Sequence, residues 1–146
     1  MKRLPVRKVD GEVFAYESED LEKVKKAFEV FFPKKTISEE KVSGGFGTTI
    51  IVLRAELSDK KARELATNVF SSLSKEEKEL VRNKLKLYVN EEGKFFLRFD
   101  KQLAYEKGKM KLTSEEESSI QAIFSLESYP ASHEGYMKSA EILLQA

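Results

Sequence analysis

The stretch that decides the fold is KFFLRFD at residues 94–100, which continues directly into KQLAY at residues 101–105. In its first half, large apolar side chains alternate with other residues. A period of two is typical of a strand with one buried face. We therefore predict a strand here, with Phe95, Leu97 and Phe99 in the core. Residues 100–105 are predicted to form a short helical turn, and a basic loop follows as far as Lys111.

Upstream of this strand, two helices are predicted. Ser58 caps the first, whose apolar residues recur at helical spacing: Ala62, Leu65, Ala66, Val69, Phe70 and Leu73. The pair Ser74 and Glu77 forms a capping-box pattern that opens a second helix, running to about residue 86. Residues 87–89, the turn at 90–93 and residues 94–100 then indicate a hairpin.

The remaining segments complete the pattern. Residues 3–16 indicate either a hairpin that turns at Asp10-Gly11 or one bulged strand. Ser18 is expected to open a helix that Pro33 ends. Strand character is predicted at 34–42, 48–57 and 120–126, with a glycine turn around Phe46, and a C-terminal helix is expected after Pro130. We predict an α+β fold with a mostly antiparallel sheet covered on one face by helices.

Composition narrows the class of protein. The chain has 146 residues, of which 40% are apolar and 35% are charged, and its net charge is +1. We expect a single domain spanning residues 1–146. Absence of cysteine excludes disulfides and thiolate sites, and no apolar run approaches membrane-spanning length. A cytoplasmic protein without a membrane role is the expectation.

No pattern of residues indicates an enzyme. His133 is the single histidine, and surface or capping use is favoured over general-base chemistry. Residues 115–117 are Glu-Glu-Glu, which is typical of a solvated segment rather than a calcium loop. The glycine cluster at 44–47 lacks the spacing of a phosphate loop and precedes a strand, so it predicts a hairpin turn. No cofactor and no metal are expected.

Cations and aromatic rings interleave in residues 94–111, a composition suited to RNA, where phosphates pair with Lys or Arg and bases stack on rings. On an extended segment Lys107, Lys109 and Lys111 would form a row facing phosphates. Four further cations, Lys2, Arg3, Arg7 and Lys8, would extend this surface if the first strand lay beside it. The alternative to an RNA-binding surface is an ordinary half-buried strand whose cations are solvated.

A resemblance supports the RNA interpretation. Residues 97–105, LRFDKQLAY, resemble the most distinctive motif of an archaeal family regarded as RNA-binding and exosome-associated. Residues 18–33 are similar to that family's first helix and residues 120–130 to its closing strand. The resemblance implies a fold like that of the large-subunit ribosomal protein that binds 5S RNA. It also implies RNA binding without catalysis.

The resulting hypothesis is an RNA-binding protein accessory to RNA processing or degradation, with an exosome-type protein partner. The predicted RNA-binding residues are Arg98, Lys101, Gln102, Tyr105, Lys107, Lys109 and Lys111. The alternative is a protein-interaction or scaffold module, such as a homodimer, without a nucleic-acid role. In that case residues 101–105 would be a structural plug, with Lys101 paired and Tyr105 buried.

Overall fold

The computed structural model describes residues 3–116 and 118–146. Five strands form one sheet in the order β2-β3-β1-β5-β4. The strands are β1 (Val6–Ala15), β2 (Ile37–Ser43), β3 (Thr49–Ser58), β4 (Lys94–Asp100) and β5 (Ser119–Leu126). The helices are α1 (Leu21–Glu29), α2 (Asp59–Ser72), α3 (Lys75–Asn83), α4 (Leu85–Tyr88), α5 (Lys101–Lys107) and α6 (His133–Leu144), and 3₁₀ turns occupy Lys34–Thr36 and Gly45–Gly47.

The sheet is antiparallel. Strands β2 and β3 pair from Ile37 opposite Ala55 to Ser43 opposite Thr49. The amide of Leu126, at the end of β5, donates to the carbonyl of Gly93, just before β4 begins. The next amide, of Glu127, donates to the carbonyl of Pro5, just before β1. The end of β5 therefore meets the starts of both neighbouring strands, which confirms the predicted α+β fold class.

The chain divides into two compact units, each built from separate stretches of sequence. The first unit contains the described residues up to 9, 57–97 and 123–146. Its core centres on Phe70 of α2, whose ring lies 5.6 Å from that of Phe95 and 5.1 Å from that of Phe124. These rings are fully buried, as the helical spacing of α2 and the alternation in β4 predict.

The second unit contains residues 10–56 and 98–122. Helix α1 buries Val24, Ala27 and Phe28, and the ring of Phe31 lies 4.9 Å from that of Phe99 in β4. Together with Phe95 and Leu97, Phe99 is buried, so the predicted core of β4 is confirmed.

The structure decides one alternative and corrects two sequence predictions. Of the hairpin and the single strand considered for residues 3–16, the single strand is found, because residues 6–15 form one continuous strand and Asp10-Gly11 does not turn the chain. Helix α1 begins at Leu21 and is capped by Asp20 rather than Ser18, since the carboxylate of Asp20 accepts from the amide of Glu22. Residues 85–88 are helical, so the predicted hairpin before β4 is reduced to a single bridge between Val89 and Phe95.

Candidate functional site

Helix α5 is the centre of the motif that pointed to RNA. Asp100 caps it, with its Oδ1 accepting from the amide of Leu103 at 2.9 Å. Gly108 ends it in the left-handed conformation, at φ 62°, which glycine adopts without steric cost. The predicted helical turn is confirmed, and it extends to Lys107. The prediction that the three lysines form a row on one extended segment is wrong, because Lys107 belongs to the helix.

Lys101 lies inside the protein. Its side chain is 8% exposed, and its Nζ donates to the carbonyl of Phe14 at 2.8 Å and to both carboxylate oxygens of Glu19 at 3.0 Å. These three bonds use all the N–H donors of an ammonium group. Lys101 therefore has no donor left for a phosphate, and we correct its predicted role from RNA contact to structural ion pair.

Glu19, the ion-pair partner of Lys101, also binds the backbone at Tyr16. Oε1 of Glu19 also accepts from the amide of Tyr16 at 3.1 Å, and the Lys101 ammonium lies 5.5 Å from the centre of the Tyr16 ring. The pair thus ties the end of β1 and the approach to α1 to the first turn of α5. This is the structural-plug role of the alternative reading, except that Tyr105 is partly exposed instead of buried.

Two motif residues face solvent from α5. Gln102 is exposed, and its Nε2 donates to Glu106 at 2.9 Å. Tyr105 is 36% exposed, and the ammonium of Lys23 in α1 lies 5.4 Å from the centre of its ring. Lys23 was missed by sequence reasoning. Its only signal was helical spacing, which places it away from the buried face of α1.

The three lysines that follow Tyr105 are all exposed. Within residues 3–116 and 118–146, no ion pair or side-chain hydrogen bond involves Lys107, Lys109 or Lys111. The backbone after them is anchored, because the carbonyl of Lys111 accepts from the amide of Asp100 at 2.8 Å. We call residues 107–111, which are the last residue of α5 and the segment after it, the basic loop; its backbone is hydrogen-bonded to β4 at Lys111.

Arg98 lies next to this hydrogen bond, but its side chain is less exposed to an RNA ligand than the three lysines are. It is half buried in β4, and its Nη1 lies 3.4 Å from the hydroxyl oxygen of Ser119. Its carbonyl accepts from the amide of Thr113 at 3.0 Å. A guanidinium has five N–H donors, so donors remain for an RNA phosphate, and its role there stays a prediction.

A cavity of about 350 Å³ opens between α1 and α5. Two cations line it, Lys23 and the internally paired Lys101. The carboxylates of its lining outnumber them: Glu19, Asp20, Asp100, Glu106 and Glu115. A pocket with this excess of negative charge repels phosphate, which disfavours it as a site for an RNA backbone.

The amino-terminal cations lie in the first unit, whereas the basic loop lies in the second. Lys2 is outside the described residues. Arg3 pairs with Glu127 at 3.6 Å, Arg7 is exposed and Lys8 is half buried. Their predicted contribution to an RNA surface stays a prediction.

The other candidate sites take ordinary structural positions. His133 begins α6, with Nε2 lying 3.3 Å from the carbonyl of Val89. Glu115 and Glu116 are exposed, and Glu117 lies outside the described residues. The glycine cluster connects β2 and β3, which confirms the predicted turn. The described part of the chain lacks two further features. No group of three or more acidic or histidine side chains there is placed to hold a metal ion. No helix there is long and apolar enough to cross a membrane.

The fold and this surface define a small α+β protein whose conspicuous feature is a helix-and-loop motif rather than a pocket. Residues 8–126 match the family model described as RNA binding, and the chain belongs to that family. It is 30% identical to the RNA-binding protein PAB1135 of Pyrococcus abyssi over 150 residues, covering 98% of this chain and 96% of the relative. Both names describe binding proteins.

Solved structures agree with the fold. A protein of Archaeoglobus fulgidus from the DUF54 family superimposes with a TM-score of 0.83 at 27% identity, covering 94% of this chain and 99% of the other. A DUF54 protein of Methanothermobacter thermautotrophicus superimposes with a TM-score of 0.78 at 26% identity, covering 95% and 98%. The described fold is thus shared along nearly the whole length of these archaeal proteins.

Proposed function

We propose that this protein binds RNA through the basic loop, without catalysis, in an accessory role in RNA processing or degradation in the cytoplasm. The observation that carries the proposal is the set of three exposed lysines on an anchored backbone, none of them engaged by a carboxylate among the described residues. An unpaired ammonium has no protein partner to lose when it takes a phosphate. The family description and the name of the Pyrococcus relative support the same function.

The neighbouring residues suit the same ligand. Tyr105 offers a partly exposed ring on which a base can stack, and Gln102 can offer hydrogen bonds to a base or a ribose. Lys23 adds a cation beside the ring. Gln102, Tyr105 and Lys23 also line the acidic cavity, which repels phosphates. We therefore expect the phosphates to follow the basic loop, while a base reaches Tyr105. An exosome-type partner and a fold like the 5S-RNA-binding ribosomal protein remain parts of the proposal that rest on resemblance.

The test compares two triple variants with the same change of charge. Lys107→Ala/Lys109→Ala/Lys111→Ala removes the basic loop, whereas Lys60→Ala/Lys61→Ala/Lys75→Ala removes three exposed lysines of α2 and α3. Binding of a labelled decauridylate and of a short RNA hairpin is followed by fluorescence anisotropy at several salt concentrations. Each single-strand phosphate contact contributes about 0.7 to the slope of log affinity against log salt.

We expect the loop variant to flatten the decauridylate slope by about 2 units and to weaken binding roughly a hundredfold at 0.1 M salt. The control variant should keep the wild-type slope. Equal losses in the two variants would mean diffuse attraction to the whole surface. An unchanged loop variant would show that RNA is bound elsewhere or not at all, and either result would reject the basic loop as the site.

A further inference from the structure

Helix α4 exposes a large apolar side chain that the fold does not use. Leu85 and Leu87 lie two residues apart on this single helical turn, about 200° around the axis from each other. Leu85 is buried at 8% exposure, while Leu87 is 80% exposed. Burial of Leu85 therefore anchors α4 and directs Leu87 into solvent, where it contributes little packing to the folded chain.

Leu87 borders a groove of about 430 Å³ in the first unit. Its apolar wall consists of Leu85, Leu87 and Met137. The rest of its lining is polar or basic, namely Arg82, Asn83, Lys84 and Lys86, with no acidic residue. A groove of this composition joins apolar surface to a positive rim.

The charges on the rim are not equivalent. Arg82 is held by Glu141 through its Nε and by Glu79 through its Nη1, and the hydrogen bond to Glu141 is the main cause of its raised pKa. Lys84 and Lys86 are exposed, and in the described part of the chain neither forms an ion pair. The free positive charge of the groove is therefore that of two lysines beside Leu87.

We propose that this groove docks a short acidic segment of a protein partner, with one apolar side chain of that segment seated against Leu85, Leu87 and Met137. Carboxylates beside that side chain would pair with Lys84 and Lys86, giving charge complementarity around an apolar anchor. RNA fits the groove less well, because its wall offers no aromatic ring on which a base could stack. This surface is independent of the basic loop and gives the protein a second, protein-directed function.

The probe is a phage-displayed library of random 12-residue peptides, selected on the purified full chain and followed by fluorescence anisotropy of the enriched peptides. The groove variants are Leu87→Asp and Lys84→Glu/Lys86→Glu. Their matched controls are Leu80→Asp, at an exposed leucine outside the groove lining, and Lys60→Glu/Lys61→Glu. Thermal unfolding of every variant checks the fold, which these exposed positions should leave intact.

We expect peptides that combine Asp or Glu with Leu, Ile, Met or Phe, and each groove variant should weaken them at least tenfold. The controls and the basic-loop triple variant should bind them within twofold of the wild type. Enrichment of other compositions, or peptides insensitive to the groove variants, would overturn the proposal. A second result would also overturn it. If no acidic peptide were enriched and Lys84→Glu/Lys86→Glu weakened decauridylate binding as strongly as the loop variant, the groove would bind RNA.

Discussion

Lys101 carries its charge where water hardly reaches it, and this decides what the residue does. Its ammonium is satisfied by one carbonyl and one carboxylate, so the most conspicuous cation of the RNA-like motif is a structural element. Nothing local in the sequence reveals this. Glu19, its partner, stands 82 positions away, and one sequence without such a pairing signal cannot join them.

Lys101→Met should therefore lower stability. Removing one partner of a buried ion pair costs about 3–5 kcal/mol, because the other charge is left without compensation. The side chain of Glu19 is 30% exposed, so water relieves part of that cost, and we expect a loss of about 2–3 kcal/mol in urea unfolding. Lys107→Met, at an exposed lysine of the same helix, should stay within about 0.5 kcal/mol of the wild type.

RNA affinity should distinguish the two variants in the reverse order: the variant that keeps its stability should lose affinity, and the destabilised one should keep it. Under conditions where both are folded, Lys107→Met should weaken decauridylate and Lys101→Met should not. If Lys101→Met kept the wild-type urea midpoint and lost RNA affinity, the buried ion pair would be the wrong account and Lys101 would contact RNA directly.

At the scale of elements, sequence patterns predicted the helices and strands correctly where a local rule and the tertiary environment agree. The capping box of Ser74 and Glu77 is present as predicted, with both of its reciprocal hydrogen bonds, since it depends only on residues three apart. The alternation in β4 is likewise reproduced. Residues 87–89 are predicted as strand because Leu, Tyr and Val suit one, yet Leu87 and Tyr88 belong to α4, where Leu85 is buried, so packing overrides a weak propensity.

Strand β1 shows how a glycine can mislead. Asp-Gly is a strong hairpin signal, but Gly11 lies within a continuous strand. A Cβ there would lie 2.1 Å from Cε2 of Phe32, a ring that is fully buried. The glycine is present because the phenylalanine occupies the space of its missing side chain, a reason that only the tertiary structure supplies.

Gly11→Ala should consequently be costly. Overpacking of this kind typically costs about 1–3 kcal/mol, and the rigid ring of Phe32 places the expected loss near 3 kcal/mol in urea unfolding. Gly45→Ala is the matched control, because no atom of the described residues beyond its two chain neighbours lies within 4 Å of its added Cβ, and it should be neutral within about 0.5 kcal/mol.

A double-mutant cycle separates the clash from a backbone effect. Phe32→Leu shortens the side chain that meets the new methyl group, so Gly11→Ala/Phe32→Leu should be more stable than the sum of the single losses by about 1 kcal/mol or more. Strictly additive losses would show that strain in the strand, and not the ring, is the cause.

At the scale of the whole molecule, the near balance of charge explains why composition alone said little about ligands. The net charge is +1, so long-range attraction to RNA is weak, and affinity depends on where unpaired cations lie. Arg54 illustrates the difference, because Glu40 and Glu12 both pair with it and raise its pKa. The sequence located the basic loop, but only the structure distinguishes its three unpaired lysines from the paired Lys101.

This distribution sets the salt dependence expected of the wild-type protein. Three phosphate contacts from the basic loop give a slope of about −2 for single-stranded RNA, and one more from Arg98 would bring it to about −2.8. With the loop alone, affinity for decauridylate should fall roughly twentyfold between 50 and 200 mM salt. An anisotropy titration over that range measures the slope directly. A slope steeper than about −5 requires seven or more contacts, which exceeds the basic loop and Arg98 together and would extend the RNA path to further cations of the protein.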